Sequence, residues 1–100
     1  STLLVRAAGR GSAEMVRWLI GRGANLNVQD KRGRTAVMAA ALTPTPESLR
    51  IVQALIAARA DLNLRDTGNY TVLGRVMLMT EDPVRQKEVQ QMLMRAGAKG

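Results

Sequence analysis

Apolar residues along this chain follow two spacings. In Met15, Val16, Leu19 and Ile20, and again in Leu49, Val52, Leu55 and Ile56, they recur three or four positions apart, which places them on one face of an amphipathic helix. Gly23 and Gly97 follow two such helices and suit the left-handed conformation that ends them; Arg59 holds the equivalent place in the middle copy and adopts it only at steric cost. A shorter segment precedes each long one: TLLVRAA from Thr2, TAVMAAA from Thr35 and TVLGRVM from Thr71. Each opens on a threonine suited to capping a first turn. Ala7, Ala8, Ala39, Ala40 and Ala41 allow close approach to neighbouring helices. Between a long helix and the next short one, ANLNVQDKRGRT and ADLNLRDTGNYT alternate apolar and polar residues into a turn, a hairpin-like signal. Gly33 and Asn69 are the residues there that tolerate positive φ, and Asp30 and Asp66 are expected to bond nearby backbone amides.

These segments repeat. Thr2 to Ala8 returns at Thr35 to Ala41, a shift of 33, and VRWLIGRGANLNVQD returns as VQALIAARADLNLRD, a shift of 36. VQQMLMRAGAKG closes a third copy, giving one domain over 1–100 with approximate repeats 1–29, 30–65 and 66–100. The loops inside the second and third copies, TPTPES and TEDPVRQK, are longer by about three and about five residues, with breaks at Pro44, Pro46 and Pro83. They form a second candidate contact surface.

Composition narrows the chemistry. The chain is 46% hydrophobic but has no Phe, one Trp and one Tyr, so its core must be aliphatic, a palette that favours packed helices. It has neither His nor Cys, which excludes the Ser/His/Asp and Cys/His nucleophile systems and the His- or thiolate-ligated metal sites. Glu81 and Asp82 are adjacent acids beside Pro83, a pattern that reads as a solvated loop. No catalytic, cofactor-binding or metal-ligating residue is expected, and the chain does not read as an enzyme. No apolar run is long enough for a membrane span and no signal-peptide pattern is present, so the cytoplasm is the default location; the start at Ser1 rather than Met leaves room for an upstream segment.

The elements DKRGRTAVMAAA, LIGRGANLN and LIAARADLN resemble the ankyrin repeat pattern DxxGxTPLHxAA followed by LLxxGADVN, over essentially the whole chain. The resemblance implies an all-α fold, a solenoid of three antiparallel helix pairs linked by hairpin-like loops, acting as a protein-interaction module. Flanking repeats in a longer chain are compatible with it. The family's Pro after Thr is replaced by Leu3, Ala36 and Val72, and its His by Val5, Met38 and Gly74. Without those His residues, stacking is expected to rest more on apolar packing.

The resemblance also implies a concave face made of hairpin tips and short helices. Carried over, it comprises Gln29, Lys31, Arg32, Arg34, Arg65, Thr67, Gly68 and Tyr70 from the tips, with Arg6, Gly9, Arg10, Ala39, Leu42, Thr43, Arg75, Leu78 and Met79 from the short helices. Net charge is +7, and this face with its turn acids holds seven of the 15 basic residues against Asp30 and Asp66 among 8 acids. The candidate partner-binding residues are therefore Arg6, Arg10, Lys31, Arg32, Arg34, Arg65, Tyr70 and Arg75, with an acidic protein as the partner. An inhibitor, an adaptor and an immunity-type protein are roles of this kind. Trp18 is read as packing, as are Met77, Met79, Met92 and Met94. Two alternatives are nucleic-acid binding, for which the chain lacks stacking aromatics and groove-reading motifs, and a non-catalytic appendage of a larger enzyme.

Overall fold

Three threonines set the helical phase of the chain. In the computed structural model, which describes residues 2–78 and 81–100, Thr2, Thr35 and Thr71 are extended, and their hydroxyls accept from the amides of Val5, Met38 and Gly74 at 3.1, 3.3 and 3.1 Å. Each cap satisfies one otherwise unbonded first-turn donor. The short helices α1 (Leu3–Gly9), α3 (Ala36–Ala41) and α5 (Val72–Met77) start from these caps. Their long partners are α2 (Ala13–Gly21), α4 (Pro46–Ala57) and α6 (Pro83–Arg95). Pro46 and Pro83 open α4 and α6, in the first turn where proline loses no helical hydrogen bond. Arg85, Gln86 and Lys87 are therefore helical, and less of TEDPVRQK is loop than the sequence suggests; its Thr80 lies outside the described residues. Asp82 caps α6 by accepting from the Arg85 amide, a structural role for that acid.

The long helices end alike. Gly23, Arg59 and Gly97 have φ of 80°, 65° and 94°, and the amides after them, on Ala24, Ala60 and Ala98, donate to the carbonyls of Leu19, Leu55 and Leu93 at 3.0–3.1 Å. This six-residue closure satisfies a last-turn carbonyl. The fold is all-α, with no strand among the described residues. The hairpin-like segments are tight turns, closed by Asp30 N to Arg34 O at 3.0 Å and Asp66 N to Tyr70 O at 2.9 Å. Inside them, Gly33 and Asn69 take φ of 74° and 67°.

Small residues decide the layering. All six residues of α3 are buried, and α3 packs between α1 and α5 while α4 packs between α2 and α6. Val16, Ile51, Val52, Leu55, Val72, Val76, Val89 and Leu93 fill the space between the two rows of helices.

Stacking is less purely apolar than the missing His residues suggested. Asn27 Oδ1 accepts from Asp61 N at 2.8 Å, and Asn63 Oδ1 accepts from Lys99 N at 2.9 Å, the same tie one repeat later. Gln29 Nε2 donates to Gly33 O at 2.8 Å and Arg65 O at 2.7 Å, and Thr67 N donates to Arg32 O at 3.0 Å. The turns thus lie against one another so closely that a Cβ on Gly33 would fall 2.8 Å from Asp66 Cα. Side-chain amides of Asn27, Gln29 and Asn63 thus supply inter-repeat bonds in the absence of those His residues.

Arg85 is the largest polar departure from expectation. It is buried, with Nη1 donating to Ala41 O at 3.0 Å and Nη2 to Thr43 O and Ser48 Oγ. The cation thus sits at the C-terminal end of α3, where the helix dipole favours positive charge. Burial lowers its pKa, with Asp82 and Glu88 opposing that effect. Other described residues read as packing lie outside the core: Trp18, Met77 and Met94 are each 55% exposed and Met15 is exposed, whereas Met92 packs against the core. Trp18 stacks instead with Arg22, whose guanidinium lies 5.0 Å from the ring centroid.

Candidate functional site

The two turns and the helices that follow them enclose a hollow of about 260 Å³, lined by Arg32, Arg34, Met38, Leu42, Asp66, Thr67 and Arg75. Asp30, Lys31, Arg32 and Arg34 surround a second hollow, sharing two arginines with the first. Five of the eight candidate residues therefore come together: Lys31, Arg32, Arg34 and Arg75 around these hollows, and Tyr70 beneath Arg75. Arg65 is turned into its own turn, with Nη1 donating to Asn69 O at 2.8 Å. Arg6 and Arg10 are exposed on and after α1 and line neither hollow. Of the other carried-over positions, Ala39 is buried and Met79 lies outside the described residues.

The turn acids hold the site in shape. Asp30 Oδ1 accepts from the amides of Arg32 and Arg34, both at 2.9 Å, and Oδ2 accepts from Arg34 Nε at 2.9 Å. Asp66 Oδ1 accepts from the amides of Gly68 and Tyr70 at 2.9 and 3.0 Å, and Oδ2 from Arg75 Nε at 2.6 Å. Both carboxylates are 4% exposed, so each is saturated and shielded from solvent. Burial pushes the Asp30 carboxyl up, but hydrogen bonds from Arg34 and Arg32 outweigh it and its pKa falls below the ordinary aspartate value. For Asp66 the Arg75 hydrogen bond is the leading cause, again below the ordinary value despite burial. The same bond raises the Arg75 pKa.

Tyr70 is exposed, as an anchor would be, yet it has an internal partner: the Arg75 guanidinium lies 4.3 Å from its ring centroid. Gly68 leaves room for this stack, since a Cβ there would lie 2.7 Å from Arg75 Nη2. The dual role of the aspartates, as turn formers and arginine clamps, goes beyond what the sequence reading gave them. The Asp30–Arg34 spacing of four could have suggested one clamp; the nine residues between Asp66 and Arg75 carry no such signal.

A second hollow system involves the enlarged loops. Pro44, Thr45, Pro46, Leu49, Asp82 and Val84 line a common cleft, so the two insertions lie side by side. With Arg85 and Glu88 also lining it, acids outnumber bases there, the reverse of the arginine-lined hollow. Among the described residues no group of His, Cys, Asp or Glu could hold a metal ion, and no helix is long and apolar enough to cross a membrane.

Comparison with known proteins gives a consistent picture. A family model described as ankyrin repeats, in three copies, matches residues 1–98. The crystal structure of an ankyrin repeat domain from Acinetobacter baumannii AYE superposes with a TM-score of 0.86 at 34% identity, covering 99% of this chain and 49% of that one. The present chain thus spans about half the length of that domain. Comparison with curated protein sequences gave no match.

Proposed function

Because this chain belongs to the ankyrin-repeat family, whose repeats are in general protein-interaction modules, we propose that it binds a protein partner with an acidic surface through the arginine-lined face of its turns and short helices. The observation that carries this reading is the gathering of Arg32, Arg34 and Arg75, from one turn and the short helix of the next repeat, around one hollow. Guanidinium groups suit such a face because they are weakly hydrated and pair with carboxylates through two parallel bonds. Lys31, beside the hollow, extends the positive field and steers an acidic partner toward it. The role is binding without catalysis, as in an inhibitor, an adaptor or an immunity-type protein.

The test is a pull-down from source-cell extract at low and high salt, with charge reversal at Lys31 and Arg32 compared with reversal at Arg17 and Arg50. All four residues are exposed, and the second pair lies on the long helices α2 and α4. Arg85 is unsuitable as a control because it is buried. Capture of a protein that is lost at high salt and with the first pair alone supports the reading. Equal losses for both pairs, or capture of nucleic acid alone, overturn it.

A further inference from the structure

The arginine-lined hollow has features that a diffuse basic surface lacks. Arg34 and Arg75 come from different elements, yet each is tied through Nε to an aspartate at the same point of its turn. Their Nη atoms have no hydrogen-bond partner among the described residues, and neither does the Arg32 side chain. Each clamp uses the edge of the guanidinium that a ligand does not need and fixes the plane of the group. Tyr70, stacked under Arg75, fixes it further. Asp66 lines the hollow too, but its two oxygens already accept from Gly68, Tyr70 and Arg75, so it repels an incoming anion less than a free carboxylate would.

Size and lining limit what enters. At about 260 Å³ the hollow lies below the range of about 300–1,000 Å³ that drug-sized ligands occupy. It suits one side chain. Its lining also includes apolar surface, supplied mainly by the half-buried Leu42, since Met38 is almost wholly covered. A carboxylate on a two-methylene stem can meet the guanidinium groups while its stem covers that surface; the shorter aspartate stem reaches it less well, and a fully hydrated phosphate gains nothing from it.

We propose that the hollow bounded by Arg32, Arg34 and Arg75, with Met38 and Leu42 as apolar lining, receives one glutamate side chain of the protein partner. The site rests on the reading of an acidic protein partner given above. It turns general attraction into a specific anchor, in which one carboxylate bridges the first turn and α5 of the next repeat.

Its test uses the full chain and a random linear peptide library selected at low salt. Recovered peptides are assayed with each Glu replaced by Gln, Asp or phosphoserine, against the unaltered chain, Arg32→Gln and Arg10→Gln. Both substitutions are at exposed positions, and thermal unfolding of each variant confirms that it remains folded. The expected result is one indispensable Glu, whose change to Gln weakens binding by about tenfold, with a similar loss on Arg32→Gln and less than about twofold on Arg10→Gln. Equal losses on the two variants overturn the pocket and leave the basic face standing. Asp or phosphoserine binding as tightly as Glu overturns the glutamate assignment. A selection that returns no acid-dependent peptide overturns the pocket and the acidic-partner reading together.

Discussion

Arg59 holds a backbone conformation that its neighbours in the repeat assign to glycine. Its φ of 65° matches the 80° and 94° of Gly23 and Gly97, and its amide and the one after it make the same closing bonds. A side chain in this region costs about 1–2 kcal/mol relative to glycine, and Arg59 is exposed. Arg59→Gly is therefore expected to stabilise the chain by about 1 kcal/mol in urea unfolding, after allowance for the freer unfolded glycine. Asp66 offers a pH-dependent counterpart. Its folded carboxyl titrates below the unfolded one, so its contribution is complete above the ordinary aspartate pKa and is lost as pH falls through the folded value. Asp66→Asn keeps an acceptor for the Gly68 and Tyr70 amides but loses the Arg75 pair. Its melting temperature should lie below that of the unaltered chain at neutral pH, and the gap should close on acidification; a gap independent of pH would mean that the pair contributes nothing. Residue-scale features of this kind were legible in the sequence where the chemistry is local, as with the threonine caps, the positive-φ positions and the turn aspartates. They were not legible where the partner comes from another element, as with Asp66 and Arg75.

Elements were read correctly in type and order because their apolar spacing and caps agree. Their mutual ties were not, and Arg85 shows why. From sequence it falls in the enlarged loop TEDPVRQK, read as a candidate contact surface; in the fold, the first turn of α6 carries it onto carbonyls 42 to 45 residues earlier in the chain. The C-terminal carbonyls of α3 need donors, and the loop after α3 brings Ser48 to the same place, where its hydroxyl accepts from Arg85 and donates toward Thr43 O and Thr45 O. Arg85→Met keeps much of the volume but strands these acceptors, and a loss of about 2–4 kcal/mol is expected in chemical denaturation. The companion Ser48→Ala should be less damaging in the Arg85→Met background than alone, because the two side chains share a network. Additive losses would show that Arg85 acts through packing alone.

At the scale of the whole molecule, repeat register assigns each position a class of environment, and the neighbouring repeat decides whether that environment is realised. Leu3 corresponds to Ala36 and Met15 to Ile51, by shifts of 33 and 36. Ala36 and Ile51 are fully buried, yet Leu3 is 57% and Met15 41% exposed, because the first helix pair has a packed neighbour on only one side in this structure. The sequence reading placed Met15 on a buried face for the same reason that it placed Ile51 there: spacing along a helix reports its own face and is blind to what lies opposite. Stability should follow the realised environment and not the repeat class. Leu3→Gln and Met15→Gln are each expected to change the unfolding free energy by no more than about 0.5 kcal/mol, whereas Ile51→Ala should lose about 2–5 kcal/mol. Urea titration of the three variants decides between the two accounts. Comparable losses at Met15 and Ile51 would mean that α2 is covered in solution, by a second copy or by rearrangement of the first pair, and a dependence of those losses on protein concentration would tell the two apart.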